Sequence, residues 1–281
     1  MKKIISLTLL CFFLQLAFAK GPDEIIEGKK RAVLLITVHD KATGKRISNG
    51  GGFFVDAKGH FITNFHVIED FLAKPDKFQL RFQDINGDEF DDIEIIRCRN
   101  DQKIDLCYGQ IKAERKIYFI DVSNKTPNKT QGVAIIGHNN LNYFSVRKGE
   151  VGDIIQNSGE KFGVPLSDRD NINVPMIELT KYDYPNGKCK GDSGCPVFDF
   201  FSGDLVGVFT ICYSGKESGI VHKLAIDTRS VYSFIGSDSK LNYFRIPKDS
   251  IYKKPKVDEK TDKEFERGSE FEIEKKTGKL Q

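Results

Sequence analysis

An all-β fold of barrels or sandwiches is what this chain predicts, on three observations. Short apolar runs recur along it, at 32–38, 52–55, 60–64, 78–82, 90–97, 106–111, 117–122, 133–137, 151–155, 176–179, 196–198, 205–211 and 219–226. Gly, Asn, Asp and Pro bound them, as in Asp84-Ile85-Asn86-Gly87-Asp88, whose composition is that of a hairpin turn. None of the runs sustains the 3.6-residue period of an amphipathic helix, so the apolar residues are spaced for strands.

The elements follow in chain order. Lys2 and Lys3 precede an uncharged apolar run from Ile4 to Phe18, and Ala17-Phe18-Ala19 is a small-x-small cleavage signal, so residues 1–19 read as a secretory signal peptide. The alternative is a membrane anchor, for which the run is short. Cys11 follows Leu10 rather than a small residue, which speaks against a lipoprotein. Residues 20–31 form an approach segment ending in Lys29-Lys30-Arg31, a solvated stretch or a processing site. A first set of strands occupies about 32–122. The polar stretch 123–131 (SNKTPNKTQ) offers nothing to a core and is the natural crossover to a second set at 132–236. That set ends in a short helix over 227–235, with Asp227 or Thr228 as cap and Val231, Phe234 and Ile235 as its apolar stripe. Residues 237–281 form a tail; from about 248 it mixes Lys, Glu and Asp with little to bury, the composition of a disordered or loosely helical segment.

Composition narrows the function. Lys and Arg number 43 against 40 Asp and Glu, so no charge bias implies nucleic acid as a partner. No second apolar stretch approaches the length of a span, and stable membrane insertion after signal removal is not expected. His39, His60, His138 and His222 lack paired ligand spacing. Asp84, Asp88, Glu89, Asp91 and Asp92 make an acidic hairpin without the glycine of a calcium loop, better read as a solvated turn. Neither a metal nor a cofactor is expected. Cys98, Cys107, Cys189, Cys195 and Cys212 remain after signal removal, an odd number that leaves at least one thiol free or paired between chains. Cys98 and Cys107 flank a turn and could bridge a hairpin, and Cys189 and Cys212 could bridge beside a loop, leaving Cys195 free. Inert thiols are the alternative.

The chemistry concentrates in Gly191-Asp192-Ser193-Gly194-Cys195-Pro196. Glycines around a serine leave room for substrate and let neighbouring N–H groups point at one spot. A serine hydroxyl is a weak nucleophile until a general base takes its proton. His66, in Thr63-Asn64-Phe65-His66-Val67, can be that base, and Asp105, a lone acid in Ile104-Asp105-Leu106-Cys107, can orient it.

With Gly50-Gly51-Gly52-Phe53-Phe54 leading to His66, these motifs in the order His66, Asp105, Ser193 resemble the chymotrypsin-fold, or trypsin-like, serine endopeptidases, most closely the HtrA/Deg-like bacterial branch. The resemblance runs from about Ala32 to about Ile235. It implies two six-stranded antiparallel β-barrels with the active site in the cleft between them, and a secreted or periplasmic enzyme acting on protein or peptide substrates. It gives Ser193 as nucleophile, His66 as general base, and the backbone N–H groups of Gly191 and Ser193 as the oxyanion hole. It also puts Gly187, Lys190, Phe209, Thr210, Ile211 and Cys212 along the substrate pocket.

Departures from the family sharpen these expectations. The start Arg31-Ala32-Val33-Leu34 lacks the Ile-Val-Gly-Gly type sequence whose freed amine pairs with the acid before the serine, so no such activation is expected. Asp192 then needs another cation, with Lys190, Lys188 or the amine at Lys20 as candidates. Cys195 stands where the family usually has glycine. Gly187 stands where trypsin-like enzymes carry the acid that selects Lys or Arg. Bulk at Phe209 and Cys212 suggests a shallow apolar pocket, while Lys188 and Lys190 allow an acidic preference. The tail leaves no room for the PDZ domain of many HtrA-like proteins. A catalytically silent binding module of the same fold is the alternative, whereas an α/β-hydrolase would place its serine first in the chain.

Overall fold

The structure is a computed structural model that describes residues 20–99, 104–139, 142–156, 173–182, 189–214, 221–236 and 244–245. The signal segment, Gly187, Lys188 and the tail beyond 245 lie outside the described residues.

The first set of strands is β1 (Val33–Asp40), β2 (Arg46–Phe54), β3 (His60–Thr63), β4 (Phe78–Gln83), β5 (Glu89–Phe90), β6 (Ile93–Arg99) and β7 (Leu106–Ile111). β1 reads as a nearly continuous apolar run because it is central, paired antiparallel to β2 on one side and β4 on the other. β4 alternates buried and half-buried residues, as a strand with one wetted face should. The β2–β3 turn is pinned by Asp56, whose carboxylate accepts the N–H groups of Lys58 and His60, and Gly59 supplies its positive φ of 83°. Helix α1 (Pro22–Lys29) precedes this set, and helix α2 (Phe65–Ala73) follows β3. Val67, Ile68 and Phe71 of α2 enter a cluster with Leu34, Ile36, Val38, Phe54 and Phe61.

The second set is β8 (Gly132–Gly137), β9 (Ser145–Ile155), β10 (Met176–Thr180), β11 (Pro196–Asp199), β12 (Leu205–Ser214) and β13 (Val221–Asp227), which closes as a six-stranded barrel in the order β10-β13-β12-β11-β8-β9. Val133, Ile135, Ile177, Leu179, Val197, Phe209 and Ala225 fill its interior. Its other faces join a cluster that also draws on the first set, including Leu35, Phe53, Ile62, Leu106, Phe198, Leu224 and Phe234. Helix α3 (Thr228–Gly236) lies where the cap and stripe predict it. Asp227 accepts the N–H of Arg229 at 2.8 Å, and buried Arg97 of β6 donates to the helix's terminal carbonyls at Phe234 and Ile235.

Three elements differ from expectation. The first set is an eight-stranded sheet ordered β14-β6-β7-β3-β2-β1-β4-β5, not a closed six-stranded barrel. Its outermost strand, β14 (Phe244–Arg245), comes from the stretch read as tail and pairs antiparallel with Ile95 and Glu94. The approach segment contains α1, opened by Pro22 at its first turn and anchored by Ile26, which is 1% exposed. A single buried residue leaves no periodic signal to read.

Candidate active site

Asp105 reaches His66 through two hydrogen bonds. Its Oδ1 accepts the backbone N–H of His66 at 3.0 Å, and its Oδ2 lies 2.7 Å from the ring Nδ1. An ionised carboxylate only accepts, so Nδ1 carries the proton and Nε2 keeps its lone pair. A third donor arrives from the other set of strands: the Thr210 hydroxyl, on β12, donates to Oδ2 at 3.3 Å. Asp105 is buried, whereas the His66 side chain keeps 20% of its surface exposed.

Asp105 adopts a left-handed conformation, with φ at 52°, which L residues seldom do at no cost. Its carbonyl is held by the side-chain amide of Asn64 at 2.9 Å and the N–H of Phe65 at 3.3 Å. Asn64 itself is fully buried. In the sequence it belongs to the histidine motif, but nothing there signals that it grips the aspartate. Asn64→Ala leaves the left-handed carbonyl one donor short, and the expected cost is about 1–3 kcal/mol in denaturant unfolding.

Ser193 sits on a turn that backbone bonds hold down on either side of it. The N–H of Asp192 donates to Cys189, that of Gly194 to Phe209 and that of Cys195 to Asp192. The N–H groups of Gly191 and Ser193 meet no acceptor among the described residues. Gly191 has φ of 99° and Gly194 of 82°, so both ends of the turn need glycine. The Ser193 carbonyl accepts the N–H of Gly51 at 2.7 Å. A Cβ on Gly50 would lie 2.8 Å from that carbonyl oxygen and 2.6 Å from Val67, so the serine turn and the start of α2 meet over a glycine. Among the described residues no hydrogen bond joins the Ser193 hydroxyl to the imidazole. Such bonds are often long in unliganded sites and tighten with substrate.

Among the described residues the cation beside Asp192 is an arginine, and Lys188, one of the lysines expected from sequence, lies outside them. Arg147 of β9 donates to Oδ1 of the fully buried carboxylate, and the backbone N–H of His138 donates to the same oxygen at 2.9 Å. Gly137 keeps the space open, since a Cβ there would collide with both partners. His138 is buried and accepts the N–H of Phe144 at Nδ1, so its Nε2 is the donor to the Leu34 carbonyl at 3.0 Å. Burial pushes its pKa down from 6.5 to about 4. The unfolded chain protonates this ring first, so stability should fall as pH drops from about 6.5 to about 4, by on the order of 3 kcal/mol. Urea unfolding near both pH limits, with His138→Gln as reference, checks this.

The residues expected along the pocket divide. Lys190 is exposed on the serine turn, Cys212 is exposed on β12, and Gly187 lies outside the described residues. Phe209 is buried inside the second barrel, Ile211 packs in the cluster shared by both sets, and Thr210 is turned to Asp105. A β-bulge between Phe209 and Ile211 produces that split. Cys98 with Cys107 and Cys189 with Cys212 stand as disulfide pairs, with Cα atoms 4.1 Å and 5.9 Å apart. Among the described residues Cys195 is the free thiol. Burial pushes its pKa well above the ordinary thiol value, and its sulfur fills the space beside Gly51, which leaves it protonated and inert. Three acids of the hairpin are engaged by arginines: Arg115 pairs with Asp84 and Asp88, and Arg81 with Glu89.

The family model of the trypsin-like peptidase domain matches residues 50–208, more than half of the chain, and the chain belongs to that family. The chain also has a curated relative. It is 28% identical over 167 residues to the Homo sapiens protein "Serine protease HTRA3", a match covering 59% of this chain and 33% of that one. The chain thus spans about a third of that curated relative's length. Among solved structures, "Crystal structure of Deg5" superposes with a TM-score of 0.54 and 20% identity, covering 74% of this chain and 88% of that one, a likeness of fold.

Proposed function

We propose that this chain is an exported serine endopeptidase in which Ser193, His66 and Asp105 form the catalytic triad, in a cleft between the closed barrel and the eight-stranded sheet. The observation that carries this reading is the Asp105 carboxylate, which takes both the backbone N–H and the Nδ1 of His66 and so presents Nε2 as a base. Nε2 takes the Ser193 proton as the hydroxyl oxygen attacks the scissile carbonyl, and the charge that develops is received by the open N–H groups of Gly191 and Ser193. The imidazolium gives its proton to the departing amine, leaving an acyl-enzyme. A water molecule, deprotonated by the same ring, then releases the acid. Asp105 stays ionised throughout, and Thr210 steadies it from β12.

Export rests on residues 1–19 as a removable signal, and on two cysteine pairs of the kind that persist in oxidising compartments. The mature protein then comprises an approach segment at 20–31, a protease domain at 32–236 with its crossover at 123–131, and a C-terminal segment at 237–281. A serine-directed fluorophosphonate tests the chemistry. It should label Ser193 in the full chain and not in Ser193→Ala, and absence of an adduct in the parent protein would leave a binding module of the same fold.

A further inference from the structure

Two N–H groups receive developing charge together only if both point into one space, and a peptide plane decides where each of them points. In a trans peptide the carbonyl and the N–H lie on opposite sides, so the Gly191 N–H faces away from whatever holds the Lys190 carbonyl. What holds it is the side-chain amide of Asn139, whose Nδ2 donates to it at 3.3 Å. Among the described residues this is the one hydrogen bond that the Lys190–Gly191 peptide makes. The rest of the turn is held by its own backbone, the Asp192 N–H donating to Cys189 and the Cys195 N–H to Asp192. Asn139 is buried and directly follows His138. The end of β8 therefore meets the serine turn at three successive residues. Gly137 leaves room for the Asp192 carboxylate, the His138 N–H donates to that carboxylate, and the Asn139 amide donates to the carbonyl two residues before it.

We propose that Asn139 is a positioning residue for the oxyanion hole: its amide fixes the plane of the Lys190–Gly191 peptide and so aims the Gly191 N–H. The inference rests on the serine-endopeptidase reading above. Gly191, with φ at 99°, has no side chain to resist rotation of that plane, and glycine populates both signs of φ. A residue that resisted it does not fit, since a Cβ on Gly191 would lie 2.5 Å from the His138 carbonyl oxygen. Turned over, the plane would bring the Lys190 carbonyl to the side where the hole opens, within reach of the Ser193 N–H three residues on, the pairing of a β-turn. One rotation would then remove both donors, Gly191 by misdirection and Ser193 by engagement. The bond from Asn139 favours the aimed plane. Without it the carbonyl loses its partner, and the bond to Ser193 takes its place.

Asn139→Leu, which keeps the branched shape and removes the donor, tests this in the full chain. Its kcat for peptide cleavage should fall about a hundredfold while KM moves by no more than about threefold, because the aimed N–H acts on charge that exists only in the transition state. A peptide aldehyde, whose adduct with Ser193 carries the same oxyanion, should lose affinity by about the same factor. Asn139→Gln, which keeps an amide donor, should stay within about tenfold of the parent. A kcat for folded Asn139→Leu within about threefold of the parent, or a loss confined to KM, overturns the assignment. Should that variant fail to fold, Asn139→Ala is measured in its place against the same limits. The plane itself can be read without turnover: crystal structures should show the Lys190 carbonyl on Asn139 in the parent and turned toward the Ser193 N–H in Asn139→Leu. An unchanged plane in the variant overturns the assignment. Failure of the parent to cleave or to label at Ser193 strikes the peptidase reading alone, and the two crystal structures then decide what Asn139 holds.

Discussion

Ser193→Ala should lower peptide turnover by about six orders of magnitude, and His66→Ala by about as much, with the double substitution little worse than either. Non-additivity is the informative part. If the hydroxyl and the imidazole act as one unit, the second loss removes nothing that the first left standing. What remains over the uncatalysed rate is the contribution of substrate binding and of the N–H groups at Gly191 and Ser193. Single-turnover assays of the purified variants measure both. Turnover in Ser193→Ala within a hundredfold of the parent would place the nucleophile elsewhere. The fold should be unaffected, because Ser193 contributes its carbonyl, not its hydroxyl, to the bond with Gly51.

Arg147→Met should destabilise the protein by about 3–5 kcal/mol, the cost of leaving a buried carboxylate without its cation. Asp192 is fully buried and immediately precedes Ser193, so the damage is not spread evenly. A carboxylate that must find water or a proton drags the turn with it, and the N–H groups on either side lose their common aim. Urea unfolding should show the loss of stability, and fluorophosphonate labelling should slow by about 10²–10³ as an oxyanion donor is misplaced. Adding Asp192→Asn should recover much of the stability, because an amide needs no cation. A single variant as stable as the parent would mean that Asp192 draws its stabilisation from other groups.

How much of this could be read in the sequence depends on how local each feature is. His66, Asp105 and Ser193 are legible because each stands in a short motif whose neighbours are dictated by the same chemistry: glycines where the turn needs positive φ, an acid set alone among apolar residues. The six strands of the second barrel are legible as apolar runs between turn residues. Arg147 is not, since an arginine at mid-strand 45 residues before Asp192 looks like any wetted position until β8 and β9 are folded against the serine turn. The contact of Thr210 with Asp105 is hidden by register. The bulge between Phe209 and Ile211 decides which of β12's residues face Asp105 and which face inward, and the strand's composition carries no mark of it. Strand β14 escapes for a related reason, because a two-residue pairing with β6 has no periodicity of its own. The acidic hairpin reads as a solvated turn in the sequence, whereas in the structure Asp84 is buried and Asp84, Asp88 and Glu89 are paired with Arg115 and Arg81.

The guanidinium beside Asp192 comes from the chain's own β9 and arrives with folding. Under the peptidase reading proposed above, the partner of Asp192 is then in place once the chain has folded, and no amine freed by a cut is needed to supply it. Restraint on such a hydrolase falls to where it is delivered, to what inhibitors it meets and to which substrates come within reach.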